Sequence, residues 1–178
     1  MADRETELML RVKGGDQAAF AELYGLYQKP LVNYLFRLCF NRALSEDLLQ
    51  ETFLRIWKAA ATYEPTAKVS TWVFRIAHNL FLNEAARRRE MALEGADNET
   101  RADPASDLGR REIQSAVKKA IEALPDGERE CLLLSEYNGF KYAEISQILG
   151  IPVGTVKSRM FSAMQRLKEM LKGMEPRP

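Results

Sequence analysis

Histidine and cysteine are scarce in this chain. Its 178 residues include one histidine, His78, and two cysteines, Cys39 and Cys131. The cysteines are far apart and form no Cys-x-x-Cys pair, so we expect neither a disulfide framework nor a zinc site, and a reducing cytoplasm is the default location. A single histidine also argues against histidine-based metal or triad chemistry. We therefore expect no cofactor.

Long apolar runs are also lacking. No stretch approaches the roughly 18–20 apolar residues that a membrane helix needs, and the first ten residues, MADRETELML, lack the basic-then-apolar order of a signal peptide. Membrane insertion is therefore not expected. The segment GIPVGTVKS at 150–158 does not match a phosphate-binding loop, which needs a glycine, four residues and then Gly-Lys-Ser/Thr. Together these absences argue against an enzyme.

The chain has almost no net charge, but its charges are segregated. The total is +1 from 26 Lys and Arg and 25 Asp and Glu. Residues 61–89 carry five bases and two acids, residues 90–112 three bases and seven acids, and residues 153–178 six bases and two acids. Two basic segments separated by an acidic one suggest two contacts with a polyanion. Alternatively, the basic runs only solvate helix ends.

Apolar residues recur every three or four positions almost throughout, which predicts helices rather than strands. We predict helices at 16–40, 45–61, 70–89, 110–123, 128–137, 141–149 and 153–172. Asp16 and Ser45 are the expected N-caps of the first two. Pro30 predicts a bend or a break near residue 29.

The segment 91–109 has few large apolar residues, several acids, one proline and two glycines. Such a segment buries too little to fold alone. The predicted fold is therefore all-α, with two small helical bundles joined by a flexible acidic linker. Their bounds are 1–90, 91–109 and 110–178.

The clearest motif is at the C-terminal end, where a short helix, the turn Gly150-Ile151-Pro152 and a longer helix follow one another. This order predicts a helix-turn-helix whose second helix enters the major groove. Its expected core positions are Val156, Met160, Ala163, Met164, Leu167 and Leu171, and those of the shorter helix are Ala143, Ile145, Ile148 and Leu149. Ser158, Phe161, Ser162 and Gln165 share the opposite side. An ordinary helical hairpin with a solvated face is the alternative.

Two earlier helices carry weaker signals. Trp72 and Phe74 near bases and amides resemble a platform for unstacked bases, although Phe74 fits a core position better and Trp72 fits both interpretations. His78 alone is more often structural than catalytic. Around 45–61, Gln50 and Glu51 are offset from the apolar stripe of Leu49, Phe53, Ile56 and Ala60, so part of this polar face is available to a protein partner.

Taken together, these segments resemble the extracytoplasmic-function (ECF) sigma factors, the small two-domain initiation factors of bacterial RNA polymerase. GDQAAFAELYGLY at 15–27 is similar to the start of sigma region 2. SEDLLQETFLRIWKA at 45–59 is similar to its polymerase-binding helix, with the pattern Asp-x-x-Gln-Glu-x-Phe. STWVFRIAHNLFLNEAARR at 70–88 resembles the segment that melts and reads the minus-10 element. Residues 124–168 resemble region 4, which reads the minus-35 element.

The resemblance implies a set of site residues. Those expected to face core polymerase, at the beta-prime clamp helices, are Asp47, Gln50, Glu51, Phe53, Leu54 and Trp57. Those expected at the minus-10 element are Lys68, Trp72, Arg75, Asn79, Asn83 and Arg87. Those expected at the minus-35 element are Thr155, Lys157, Ser158, Arg159, Phe161, Ser162, Gln165 and Arg166. Some family members have arginine where this chain has Ser162, so the resemblance leaves the exact minus-35 sequence open.

The resemblance also implies the partners. These are core RNA polymerase (beta-prime clamp helices and beta flap), promoter DNA and an anti-sigma factor, which would hold the chain in the cytoplasm or at the inner face of the membrane. The free chain is expected to be a monomer, and the linker to thread the RNA exit path. A stand-alone helix-turn-helix regulator is the main alternative, but it leaves residues 1–90 unexplained. A pure protein-interaction adaptor would tolerate loss of Lys157 and Arg159.

Overall fold

The computed structural model describes residues 4–93 and 110–172, and within these ranges the chain forms eight α-helices and no strand. The first compact unit is built from α1 (Arg4–Lys13), α2 (Gln17–Cys39), α3 (Arg42–Ala59) and α4 (Val69–Leu93), with a 3-10 turn at Ala60–Thr62. The second contains α5 (Arg110–Glu122), α6 (Asp126–Leu132), most of α7 (Tyr142–Leu149) and α8 (Val153–Met170). A π-helical turn at Leu133–Tyr137 continues α6. The all-α prediction is confirmed.

Helix α1 is the element that the sequence pattern did not predict. Leu8, Met9 and Val12 are buried on one side of it. Polar contacts also tie it to its neighbours. The hydroxyl of Tyr27 donates to Glu5 Oε2 at 2.7 Å. The first bundle therefore includes a helix whose buried residues lie among mostly charged ones, so the helical period of its apolar residues is not evident in the sequence.

Helix α2 begins as predicted but does not break. Asp16 is its N-cap, and the Asp16 carboxylate accepts the Ala19 N–H at 3.0 Å. Of the bend or break predicted near residue 29, the break is wrong, since α2 continues through Pro30 to Cys39. Proline removes one backbone donor, but Tyr27 and Leu31 on either side are buried in the core. Their packing holds the helix together across the missing hydrogen bond.

Helix α3 begins earlier than predicted, and Ser45 is not its cap. The cap is Asn41, whose side-chain oxygen accepts the Leu44 N–H at 3.0 Å. Ser45 is fully buried within the helix, and its hydroxyl donates to the Arg42 carbonyl at 2.7 Å. Both residue types favour N-caps, and the polar spacing alone did not distinguish them.

Helix α4 runs to Leu93, four residues past the predicted end at 89 and into the segment predicted as linker. The rest of that segment, 94–109, lies outside the described residues, as do 173–178 of the second predicted domain. Pro125 precedes α6, whereas Asp126 and Gly127, predicted to belong to a break, lie inside its first turn.

The predicted core stripes are mostly confirmed. Those of α3 are buried at every position: Leu49, Phe53, Ile56 and Ala60. In α8, Val156, Met160 and Ala163 are buried, but Met164 is 53% exposed. One residue past Ala163 is a rotation of about 100°, which carries Met164 off the stripe. Ala143 in α7 is also exposed rather than buried.

Candidate protein and DNA interfaces

The outer side of α3 combines acids, an amide and apolar groups. Asp47 and Gln50 are exposed, and Glu51 is half-buried with its carboxylate 3.0 Å from Arg55 Nε. Leu54 and Trp57 are 53% and 38% exposed. Large apolar groups beside polar ones in solvent are typical of a protein-binding surface.

Phe53, the sixth residue predicted for this surface, is placed elsewhere. It is 4% exposed and packs against Phe20 and Tyr24, with ring centroids 6.0 and 4.6 Å away. Phe20 also makes an edge contact with Trp57 at 5.0 Å. Phe53 thus supports the surface from below, and Trp57 is held by the same aromatic cluster.

A polar row runs along α4. Lys68 precedes the helix, and the row continues on the helix itself with Arg75, Asn79, Asn83 and Arg87, all of them exposed. Steps of three and four residues keep these positions on one side of the helix. Trp72 belongs to the same row but is half-buried, with its ring 5.2 Å from that of Tyr63. Phe74 is buried, which confirms its assignment to the core.

Arg87 is not independent of its neighbours. Its Nε and a terminal nitrogen lie 2.8 and 2.9 Å from the two carboxylate oxygens of Glu84, and Arg88 Nε lies 2.8 Å from one of them. The hydrogen bond from Arg87 and the charge of both arginines lower the pKa of Glu84 to about 2. At neutral pH this carboxylate therefore offsets part of the positive charge at the C-terminal end of the row.

His78 lies beneath this row and has a structural place. It is 2% exposed, and its Nδ1 lies 3.1 Å from the Tyr34 hydroxyl oxygen. Burial lowers the pKa of His78 to about 4. It is therefore neutral at physiological pH and joins α2 to α4. No group of three or more histidine, cysteine or acidic side chains in the described ranges could hold a metal ion.

In the second unit, α7, a tight turn and α8 form the predicted helix-turn-helix. The Glu144 carboxylate accepts the Lys141 N–H at 2.8 Å and satisfies a backbone donor at the start of α7. Gly150 ends α7 with a φ of +65°, a left-handed conformation that suits glycine. Helix α8 begins directly after Pro152.

The outward face of α8 has the predicted mixture of groups. Lys157, Ser158 and Gln165 are exposed, and the Ser158 hydroxyl donates to the Thr155 carbonyl at 3.0 Å. Phe161 is 67% exposed, the highest value among the large apolar residues described. Thr155 and Ser162 are half-buried at its edges.

Two of the eight residues predicted for the minus-35 element lie close to α6. The guanidinium of Arg159 lies over Gly127, and Arg166 Nε lies 3.1 Å from a carboxylate oxygen of Glu128. The other six remain on the outward face or its edges.

Comparisons with known proteins agree with this division. Residues 23–91 match the family model "Sigma-70 region 2", and residues 114–167 match "Sigma-70, region 4". The ECF RNA polymerase sigma factor SigK of Mycobacterium tuberculosis is 31% identical over 172 residues, covering 92% of this chain and 91% of SigK. The chain belongs to the ECF sigma factors. SigW of Bacillus subtilis, another ECF sigma factor, is 29% identical over 177 residues, covering 92% and 95% of the two chains.

Solved structures resemble this one too. RpoE of Bartonella quintana, in complex with the anti-sigma factor NepR, superposes with a TM-score of 0.74 at 30% identity, covering 86% of this chain and 97% of RpoE. CnrH, in complex with the cytosolic domain of CnrY, gives a TM-score of 0.74 at 23% identity, covering 95% and 97%. As an ECF sigma factor, this chain is a promoter-specific transcription initiation factor, a class of transcription regulators.

Sequence reasoning missed two apolar residues on these faces of the sigma factor. Leu82 is 44% exposed and lies three residues beyond Asn79, on the polar side of α4. Met164, 53% exposed, lies three residues beyond Phe161 on α8. Their spacing from a predicted contact was the available signal, but apolar character assigned Met164 to the core. None of the described helices is long and apolar enough to cross a membrane.

Proposed function

We propose that this ECF sigma factor binds core RNA polymerase through the outer side of α3, reads and opens the minus-10 element with α4, and reads the minus-35 element with α8. The observation that carries the proposal is that α4 and α8 each leave one polar row in solvent, on separate units. Two weak DNA contacts on one chain give a specific combined one, because the second contact forms at high effective concentration.

Each surface has the chemistry that its role needs. On α3, exposed Leu54 and Trp57 supply apolar area, and Asp47 supplies charge for the beta-prime clamp helices. On α4, Trp72 offers an aromatic ring for an unstacked base, and Asn79 can hydrogen-bond to a base edge.

On α8, Lys157 suits a phosphate, Gln165 a base edge and Phe161 a thymine methyl group. Bases held in pockets account for strand opening without any reaction by this chain. The polymerase supplies catalysis.

The domain roles follow from these surfaces. Residues 1–90 bind core polymerase and read the minus-10 element. Residues 91–109 link the two units, and residues 110–178 read the minus-35 element and bind the beta flap. We place the protein in the cytoplasm. Since RpoE, 30% identical, is found with an anti-sigma factor, we propose such a partner here, covering the exposed apolar groups of α3 when polymerase is absent.

The test is run-off transcription with purified bacterial core polymerase on DNA from upstream of the gene itself. Lys157→Ala and Asn79→Ala should each reduce transcript about fivefold or more, since a good base contact contributes about 1–3 kcal/mol. Matched controls are Lys29→Ala and Asn33→Ala, which remove the same groups from exposed positions on α2. Full transcription by both test variants would contradict the DNA-reading assignments.

Polymerase binding is tested separately by the affinity for core enzyme. Leu54→Ser should weaken core binding about tenfold, because it removes exposed apolar area at the centre of the proposed contact. Leu26→Ser is the control, since Leu26 is an exposed leucine, 42% accessible, on α2. An equal loss of affinity for core polymerase in both variants would contradict the assignment of the polymerase contact to α3.

A further inference from the structure

The contact between α6 and α8 is charged as well as apolar. Helix α8 turns Val156, Met160 and Ala163 inward, and all three are buried. Beside this stripe lie Arg159 and Arg166, seven residues apart and therefore on the same side of the helix. Both arginines meet α6, which packs against α8.

Arg159 has a seat that only glycine leaves open. A Cβ atom built on Gly127 would lie 2.7 Å from Arg159 Cζ and from one of its terminal nitrogens. Gly127 has no positive φ to require glycine, so a larger residue at this position would conflict with the guanidinium and would have to displace it. Arg159 is half-buried there.

Acidic groups of α6 balance both arginines. Glu130, three residues beyond Gly127, is buried, and the charge of Arg159 is the largest attraction opposing the cost of burying its carboxylate, with Arg129 a weaker one. Arg166 Nε lies 3.1 Å from Glu128, whose side chain is 13% exposed. A buried carboxylate needs a cation close by. These arginines therefore have a role within the protein that Lys157 does not have.

We propose that Arg159 and Arg166 are positioning residues that fix the recognition helix α8 on α6, with Gly127 as the seat of Arg159, and that neither arginine reads DNA. The inference rests on the proposed role of α8 at the minus-35 element. Two basic residues of the motif would then act on α6 rather than on phosphate, Arg166 beside Glu128 and Arg159 over Gly127.

Salt dependence separates a positioning residue from a phosphate contact. The affinity of holoenzyme for the promoter fragment is measured as a function of salt for the unchanged protein, Arg159→Ala and Lys157→Ala. Each lost phosphate contact lowers the slope of log K against log salt by about 0.9. Lys157→Ala should show this change, whereas Arg159→Ala should lose roughly tenfold in affinity with an unchanged slope. A slope reduced by about 0.9 in Arg159→Ala would overturn the proposal.

Base substitution separates positioning from base reading. If Arg159 read a guanine, its loss would abolish a preference of about 5- to 150-fold at one base pair and leave the others intact. A positioning residue should instead weaken binding to every single-base variant of the minus-35 element by a similar factor. Loss of preference confined to one position would overturn the proposal.

Gly127→Ala provides a test that keeps every charge. The new methyl group displaces the guanidinium from its seat, so this variant should lose DNA affinity to the same extent as Arg159→Ala. If Arg159 contacts DNA, displacing it from α6 should leave affinity unchanged or raise it.

A charge exchange, Glu128→Arg with Arg166→Glu, tests the contact between Arg166 and Glu128. It should restore affinity to within about threefold of the original, and failure to exceed either single variant would overturn the role of Arg166.

The seat itself is tested without DNA. Thermal unfolding of the free protein is measured for Gly127→Ala, Arg159→Ala and the double variant. Since the three atoms nearest to an added Cβ at 127 all belong to Arg159, the double variant should be more stable than the sum of the single effects predicts. Additive effects would overturn the seat. If instead Lys157→Ala leaves DNA binding unchanged while the cycle shows coupling, the role of α8 at the minus-35 element fails and the seat stands.

Discussion

At the scale of single residues, two buried side chains give the two units opposite responses to pH. Burial lowers the pKa of His78 in the first unit to about 4. In the second unit, burial raises the pKa of Glu130 to about 7, and the nearby Arg159 only partly opposes this shift. The folded chain therefore resists taking up a proton at one site and resists losing one at the other.

For His78, the unfolded chain binds a proton between pH 6.5 and pH 4 that the folded chain does not. The free energy of unfolding of the first unit should thus be highest above pH 6.5 and should fall as the pH drops towards 4, by up to about 3 kcal/mol. Tryptophan fluorescence during urea unfolding reports on this unit alone, since both tryptophans, Trp57 and Trp72, lie in it. His78→Gln should flatten the dependence, and an unaltered slope would contradict the assignment.

For Glu130 the sign is reversed. The folded chain retains a proton between pH 4.5 and pH 7 that the unfolded chain loses, so the stability of the second unit should decline as the pH rises through this window. Hydrogen exchange of the α6 and α8 amides, corrected for the intrinsic pH dependence, measures it. Glu130→Gln should remove the decline. Protection that increases with pH in the unchanged protein would be the opposite of this expectation.

Whether the sequence predicts the surroundings of a residue depends on how far along the chain the residues that contact it lie. Phe53 and Ile56 were placed in the core because their neighbours on the same helix give the period. Arg159 was assigned to DNA because it lies near the start of the predicted recognition helix and matches a family contact position. Its seat, Gly127 and Glu130, lies on another helix about thirty residues earlier, and no local pattern connects them.

At the scale of elements, the structure and the sequence pattern give different N-caps for α3. Asn41 caps the helix, whereas Ser45, the predicted cap, lies buried within it. Asn41→Ala should destabilise the first unit by about 0.5–2 kcal/mol. Ser45→Ala, the matched control, should cost less, because alanine fits the same space and the lost hydrogen bond to Arg42 only duplicates a helical carbonyl contact. A larger cost for Ser45→Ala in urea unfolding would restore the sequence-based assignment.

Other elements show why periodicity misses or misjudges a helix. In α1, Leu8, Met9 and Val12 are buried among charged neighbours, so the window that includes them is more polar than a typical core helix. In α2, Pro30 is a strong local signal for a break, but the packing of Tyr27 and Leu31 outweighs one lost hydrogen bond. Tertiary contacts decided both cases, and tertiary contacts are absent from a local pattern.

At the scale of the whole molecule, the proposed function depends on joining two units that would each contact DNA weakly. The family resemblance predicted both units and their order, and the family models match the same two regions, 23–91 and 114–167. The predicted linker between them has a composition that suits a second role. Residues 94–109 carry five acids and one base, so the segment can occupy a basic nucleic-acid channel of the polymerase before RNA enters it.

Neutralising that segment tests the role directly. The acids Glu94, Asp97, Glu99, Asp103 and Asp107 are replaced by their amides, which preserves length and shape. Initiation should fall severalfold in run-off assays while affinity for the promoter is retained, because only the contact with the channel is weakened. Arg101→Gln, which makes the same segment more acidic, is the control and should initiate normally. Unchanged initiation by the amide variant would mean that the segment acts only as a tether, whose length and not its charge sets how the two DNA elements are reached together.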